Sequence, residues 1–178
     1  ATQGADAVEA AASFLLRAYR AVREAEPHDA GRLLKFGVLK GGTVRNALAA
    51  HAQLEGSLRA FSSPLLEQMK RSLQSIATET EQETGCALTL HYSMGYPAVY
   101  NDVALTARAA AALKNGTLQP VDAPSMTAED FAFYGQQVPS VFFFLGTGRS
   151  DALHSDTFDF DETALMAGVA CYERLLWI

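Results

Sequence analysis

The sequence contains few cysteines. Only Cys86 and Cys171 occur among its 178 residues, and they lack the close spacing of a zinc motif or of a redox pair. Cys86 falls in a predicted strand and Cys171 in a predicted helix, where buried free cysteines are common. We therefore expect two free thiols and a reducing compartment, the cytoplasm.

Long apolar runs and clusters of basic residues are also missing. No stretch approaches the roughly 20 apolar residues that span a bilayer, so we expect no membrane segment. The formal net charge is −6 and the pI is about 5.1, and the lysines and arginines form no patch that could follow a phosphate backbone. The sequence therefore indicates a protein that binds neither membranes nor nucleic acids, and its 49% of hydrophobic residues suffices for a core.

The first half of the chain has clear periodicities. Apolar residues recur at intervals of three and four over residues 7–24 and 64–84, which predicts two amphipathic helices. Alternation of apolar and polar residues predicts strands over residues 34–41, 51–60 and 87–92. The order helix, strand, strand, helix, strand matches a ferredoxin-like βαββαβ unit whose first strand is missing. The sheet edge left open by that strand could pair with another chain, which predicts a homodimer.

The second half, from about residue 96, is predicted to be mostly helical. Helices are expected over residues 101–114 and 162–177 and in a short stretch after Ser125. Residues 141–145 are five consecutive apolar residues, which predicts a strand buried on both faces. One strand cannot form a sheet, so we expect this half to be part of a larger α/β domain. Four residues of the last helix are expected to cover that sheet: Leu165, Val169, Tyr172 and Leu176.

His154 follows the predicted buried strand and its glycine loop. Ligands of open α/β sheets gather beyond the carboxyl ends of strands, so His154 is a candidate functional residue. Three roles remain open: a metal ligand, a general base, or a loop histidine satisfied by hydrogen bonds. Nearby carboxylates could complete a metal shell or could cap helices and solvate the loop. They are Asp151, Asp156, Asp159 and Asp161.

The glycine-rich segment 41–46 lacks the spacing of a phosphate-binding loop, and we interpret it as a turn that ends a strand. An unrelated serine hydrolase would need a nucleophile, and the GxSxG elbow is absent from the sequence.

Five blocks of the chain carry a resemblance to a known family. They are GVLKGGTVRNALAAHAQLEGSLRAF, YPAVYND, MTAEDFAFY, VPSVFFFLGTG and LHSDTFDFDE. In this order, they resemble the metal-dependent aminoacylase and amidohydrolase family. That family includes hippurate hydrolase, N-acyl-amino-acid amidohydrolases, N-acetyldiaminopimelate deacetylase and auxin-conjugate hydrolases.

The resemblance implies a two-domain enzyme. Residues 1–95 would form most of a lid domain that mediates dimerisation, and residues 96–178 the C-terminal segment of a zinc-exopeptidase-like α/β domain. The second domain would hold two divalent ions, zinc, manganese or cobalt. The implied reaction is hydrolysis of the amide bond of an N-acyl amino acid or small peptide by a metal-activated water.

The same resemblance assigns roles to particular residues. His154 matches the family's last metal ligand. Asn46 and Arg59 match lid residues that reach the substrate, and an arginine fork suits a carboxylate. Met126 and Glu129 lie in a block that lines the substrate pocket in relatives.

The family's other metal ligands and its general base lie in sequence that would precede Ala1. A closed zinc site needs four ligands, and His154 alone cannot supply them. We therefore expect the chain to be a fragment without a catalytic base, inactive by itself. The alternative function is a non-catalytic dimerisation or binding module.

Overall fold

A computed structural model describes residues 4–25, 31–113, 118–148 and 155–178. The chain divides into two compact units, one of residues 1–98 with 125–128 and one of residues 99–124 with 129–178. Within the described ranges, no helix is long and apolar enough to cross a bilayer.

The first helix of unit 1 is α1 (Ala7–Glu24). It begins at Asp6, whose carboxylate accepts a hydrogen bond from the backbone N–H of Val8 at 2.9 Å. The carboxylate of Glu9 in the first turn suits the positive end of the helix dipole. These local signals and the apolar period place the helix where the sequence predicts it. Its buried face consists of Ala10, Ala11, Phe14 and Ala18.

The second helix, α2 (Ser63–Thr84), is also delimited by its caps. The hydroxyl of Ser62 accepts a hydrogen bond from the N–H of Leu65 at 3.4 Å, and a proline lies in the first turn. Gly85 ends the helix with φ of +70°, a left-handed conformation that glycine adopts without strain. The prediction for residues 64–84 is confirmed. The buried residues are Met69, Leu73, Ile76, Ala77 and Thr80.

The sheet of unit 1 is an antiparallel hairpin. Strand β1 (Arg32–Gly41) pairs with strand β2 (Ala52–Ala60), with Arg32 opposite Ala60 and Gly41 opposite Ala52. The register shifts between Phe36 and Val38, so one extra residue forms a bulge.

Helices α1 and α2 pack against each other and against the hairpin. The ring of Phe14 meets that of Phe36 edge to face, with centroids 6.3 Å apart, and the N–H of Phe36 donates to the hydroxyl of Tyr19 at 3.0 Å. Burial of this apolar layer holds unit 1 together. The buried cluster comprises Phe14, Ala18, Leu34, Leu73, Ile76 and Ala77.

The strand predicted over residues 87–92 is not formed. Leu88 and Leu90 pack against the core while Ala87 and Thr89 are exposed, so the side chains alternate as in a strand. Among the described residues, however, no backbone group of this segment pairs with another backbone group. A β-strand requires backbone hydrogen bonds to a neighbouring strand, and the described part of the chain contains no strand next to this segment.

Unit 2 contains the helices α3 (Val103–Ala112), α4 (Ala132–Gly135) and α5 (Thr163–Leu175). The strand predicted over residues 141–145 is likewise not formed in the described part of this unit. The side-chain amide of Asn101 takes the place of a partner strand at one position. Its Nδ2 donates to the carbonyl of Phe142 at 2.9 Å, and its Oδ1 accepts from the N–H of Phe142 at 2.8 Å.

The expectation that α5 covers a sheet is wrong for the described residues. No residue of this helix is buried, and Leu176 is 77% exposed. The helix does contact the extended segment, because the rings of Phe143 and Tyr172 are 5.9 Å apart. The exposure follows because the described part of unit 2 contains no sheet, and a single extended segment is too narrow to cover a helix face. The four residues concerned are Leu165, Val169, Tyr172 and Leu176.

The core of unit 1 makes a direct prediction. Replacing Phe14 by Leu removes the edge contact with Phe36 and is expected to lower the free energy of unfolding by about 1–1.5 kcal/mol. The matched control is Leu16→Ala on the same helix, at a side chain that is 66% exposed, with an expected change within about 0.5 kcal/mol. Urea denaturation followed by far-UV circular dichroism measures both. Equal effects of the two substitutions would contradict the assignment of the core.

Candidate functional site

The loop between β1 and β2 borders an open cavity of about 450 Å³ in unit 1. The turn expected at residues 41–46 is present, since β1 ends at Gly41 and Gly42 has φ of +68°. The N–H of Ala7 donates to the carbonyl of Ala49 at 2.9 Å, which fastens the loop to the start of α1. Asn46 is exposed on this loop. The cavity is lined by Asp6, Val8, Gly41, Gly42, Thr43, Val44, Arg45, Ala47 and Ala49.

Pattern analysis missed two polar residues of this cavity, Thr43 and Arg45. The glycine spacing does not match a phosphate-binding loop, and it gives no reason to expect that Thr43 and Arg45 bind a ligand. Their only signal was a polar, glycine-rich stretch between two strands.

Arg59 lies near the end of β2 and is half-buried. Its Nη1 donates a hydrogen bond to the backbone carbonyl of Met126. Residues 125–128 belong to unit 1, so this bond fastens a distant stretch of the sequence to the hairpin. The structure thus brings together two of the residues that the sequence singled out, through the backbone of Met126 rather than its side chain.

Asn46 and Arg59 lie toward opposite ends of β2. The loop that carries Asn46 is anchored at Ala52, which pairs with Gly41. Arg59 is seven residues further along the strand, a distance of about 23 Å at the usual rise per residue. Arg59 and the base of the loop that carries Asn46 therefore lie far apart along this strand.

Glu129 is half-buried in unit 2, and its backbone carbonyl accepts a hydrogen bond from the N–H of Ala132 at 3.3 Å, at the start of α4. This contact shows a structural role for the backbone, and none for the carboxylate.

His154 and Asp151 lie outside the described residues. Three neighbouring carboxylates are described, and Asp161 is engaged at the start of α5, where its Oδ1 accepts from the N–H of Thr163 at 2.9 Å. Hydrogen bonds from the backbone and side chain of Thr163 lower the pKa of Asp161. In the described ranges, no group of three or more His, Cys, Asp or Glu side chains could hold a metal ion. These residues by themselves do not fit a metal centre.

Comparison with known proteins defines the family. The model of peptidase family M20/M25/M40 matches residues 16–177. The chain belongs to this peptidase family. The metal-dependent amidohydrolase family that the five sequence blocks resemble is thereby confirmed.

Curated members of the M20/M25/M40 family are similar over nearly the whole chain. An N-acetyldiaminopimelate deacetylase of Limosilactobacillus fermentum is 33% identical over 92% of this chain and 44% of its own length. The enzyme of the same name from Shouchella clausii is 34% identical over 90% of this chain and 43% of its own length. The chain thus spans less than half the length of these relatives.

A solved structure of the family shows the same fold. The Bacillus subtilis YxeP protein, described as a dinuclear metal-binding peptidase of family M20, superposes with a TM-score of 0.77 at 23% identity. The superposition covers 96% of this chain and 45% of that one. The mixed α/β fold class predicted from the sequence is confirmed. The boundary expected at residues 95 and 96 and the functions expected of the two domains stay predictions.

The bond between Arg59 and Met126 makes a second prediction. Replacing Arg59 by Met removes the donor to the Met126 carbonyl, so residues 118–128 should open more often. Loss of one hydrogen bond is worth about 0.5–1.5 kcal/mol, which predicts thermolysin cleavage of this segment roughly threefold to tenfold faster.

The matched control for this cleavage test is Arg71→Met, at an exposed arginine of α2. This substitution removes the same charge without touching the segment and should leave cleavage unchanged. Equal cleavage rates in the two variants would show that the Arg59 bond does not hold the segment.

Proposed function

We propose that the chain is part of a longer metal-dependent amidohydrolase, here termed the parent, which removes the acyl group from an N-acyl amino acid. The observation that carries the proposal is the family match over residues 16–177. The names of the relatives support N-acetyldiaminopimelate as the first substrate to test. A reducing, cytoplasmic location is part of the proposal, since Cys86 and Cys171 are free thiols.

Arg59 is the proposed binding residue for the substrate carboxylate. A guanidinium carries five N–H donors, so the bond from Nη1 to the Met126 carbonyl leaves donors for a ligand. Paired hydrogen bonds from arginine suit the planar carboxylate of an amino acid. Met126 and Glu129 are proposed pocket residues, and Asn46 is the proposed second contact from the lid.

His154 is the proposed metal ligand of this chain. A neutral imidazole at this position would help to hold zinc, manganese or cobalt, and an ion held there would supply a coordinated water acidic enough to attack an amide carbonyl. The other ligands and the general base would come from the remainder of the parent, so we propose that the present chain alone is inactive.

The separation of Asn46 and Arg59 gives the proposed homodimer a functional meaning. The base of the Asn46 loop lies about 23 Å along β2 from Arg59, which is longer than a small N-acyl amino acid, so we propose that the two side chains of one chain do not contact the same substrate. In a twofold dimer, Asn46 of one protomer and Arg59 of its partner can converge on one substrate. We propose that the lid units form such a dimer.

A metal measurement tests the proposed role of His154. In the parent, His154→Ala is expected to remove at least one divalent ion per chain and to lower kcat by about 100-fold or more, because the ion stabilises developing charge by several kcal/mol. The matched control is His91→Ala, at an exposed histidine of unit 1. Elemental analysis and acetate release from N-acetyldiaminopimelate measure the two effects. Full metal content and activity in the His154 variant would contradict the assignment.

Mixed dimers test the proposed sharing of a site. Asn46→Ala and Arg59→Ala parents should each be inactive as pure dimers. After random exchange of subunits, half the dimers are mixed and one of their two sites is intact, so roughly a quarter of the wild-type activity should return. If both residues serve the same site from one chain, mixing restores nothing, and that result would reject the shared site.

The non-catalytic module remains the second candidate function. A specific observation favours it only for the present chain, which in its described part holds no cluster of metal-binding side chains. Both functions would be compatible if the parent has full deacetylase activity and the 178-residue chain has none. The module would then be the inactive part of an enzyme.

A further inference from the structure

Arg59 is a half-buried cation that no described carboxylate neutralises. Within the described residues, the ion pairs involve Arg17, Arg20 and Lys70, and none involves Arg59. Taking a charged group out of water is costly unless an opposite charge and hydrogen bonds compensate it. A carboxylate ligand would therefore find at Arg59 a positive charge that the described part of the chain leaves uncompensated.

The strand neighbours of Arg59 favour an anion as well. Leu58 packs against the core of unit 1, so the side chain of Arg59 points to the opposite face of the hairpin. Lys35 is a diagonal neighbour on that face, because it pairs with Ser57, and its ammonium adds a second positive charge. Glu55 lies on the same face four residues from Arg59, about 13 Å along the strand, which is too far for an ion pair.

The backbone carbonyl of Met126 holds the guanidinium of Arg59 by one nitrogen. Nη1 donates to this carbonyl, while the edge formed by Nε and Nη2 keeps two parallel N–H donors. A carboxylate can accept both of these hydrogen bonds at once. Because a carbonyl is neutral, it orients the guanidinium without neutralising its charge.

The peptide group between Met126 and Thr127 is fixed at both of its polar atoms. Its carbonyl accepts from Arg59, and its N–H donates to the hydroxyl of Ser125 at 3.3 Å. The Ser125 hydroxyl also donates to Oγ1 of Thr127 at 3.2 Å. A peptide group is planar, so the hydroxyl that fixes the N–H also sets the direction of the carbonyl.

We propose that Ser125 is a positioning residue for the carboxylate of the substrate. Its hydroxyl orients the peptide between Met126 and Thr127, and the Met126 carbonyl orients the guanidinium of Arg59. The edge formed by Nε and Nη2 is thereby held ready for the carboxylate. This inference rests on the proposed function, because it requires that Arg59 binds the substrate.

A turn that only stabilises its own segment is the alternative role of Ser125. The same local pattern occurs at Ser155, whose hydroxyl accepts from the N–H of Thr157 at 3.1 Å. The pattern therefore indicates no function by itself. The feature that favours a positioning role at Ser125 is the bond from the intervening carbonyl to Arg59.

Hydrogen exchange of the Arg59 side chain tests the contact without any substrate. It is followed by NMR of the arginine side chains in the 178-residue chain, with the Arg59 signal assigned by its loss in Arg59→Met. In Ser125→Ala, exchange at Nε is expected to be at least about threefold faster, because the guanidinium is held less firmly. The matched control is Ser155→Ala, which removes the same turn bond elsewhere and should leave Arg59 unchanged. Equal exchange in Ser125→Ala and the unmodified chain would overturn the inference.

Steady-state kinetics of the parent test the consequence for the substrate. Ser125→Ala is expected to raise KM for N-acetyldiaminopimelate about threefold to tenfold, the effect of one weakened hydrogen-bonded contact on binding. The value of kcat should stay within about twofold, because the bound carboxylate is not altered by hydrolysis. Ser125→Thr keeps the hydroxyl and should restore KM. The matched control is Ser72→Ala, at an exposed hydroxyl of α2 that donates to the carbonyl of Gln68.

The outcomes separate this inference from the proposed function. An active parent in which Ser125→Ala leaves KM unchanged would overturn the inference and leave the amidohydrolase proposal intact. A fall in kcat alone would also overturn it, because it would indicate a structural role of the turn. A parent that releases no acetate in its unmodified form would instead reject the proposed function, and the carboxylate contact with it.

Discussion

A β-strand needs a neighbour for its backbone donors and acceptors, and this requirement decides what the chain can build. Only β1 and β2 satisfy it within the described residues. Where no neighbour exists, other groups substitute for one: Glu81 binds the N–H of Leu88, and the Asn101 amide binds both backbone groups of Phe142. The exposed apolar face of α5 has the same origin, since the sheet that would cover it is missing from the described part of unit 2.

The sequence predicts the helices better than the strands. The bounds of α1 and α2 follow from local information: the cap at Asp6, the cap at Ser62, the left-handed Gly85 and the apolar period. Segments 87–92 and 141–145 have strand-like composition and, in the first case, strand-like alternation of burial. Their pairing depends on residues distant in sequence, which no local pattern contains.

The candidate site, like the fold, could be predicted from the sequence only in part. The family resemblance is confirmed, because block order is a property of the sequence itself. The number of residues between Asn46 and Arg59 does not predict that they lie toward opposite ends of β2. That prediction requires the register of the hairpin. The bond from Arg59 to the Met126 carbonyl joins residues 67 positions apart. His154 lies outside the described residues, and its role rests on the resemblance.

The central proposal is that this chain is part of a longer amidohydrolase in which its sheets are completed. Amide hydrogen exchange of residues 141–145 tests it most directly, measured in the 178-residue chain and in the protein expressed from its complete gene. We predict fast exchange in the chain alone and exchange slower by about a hundredfold or more in the longer protein, where a neighbouring strand would bind these groups. Equally fast exchange in both, or strong protection in the chain alone, would contradict the claim.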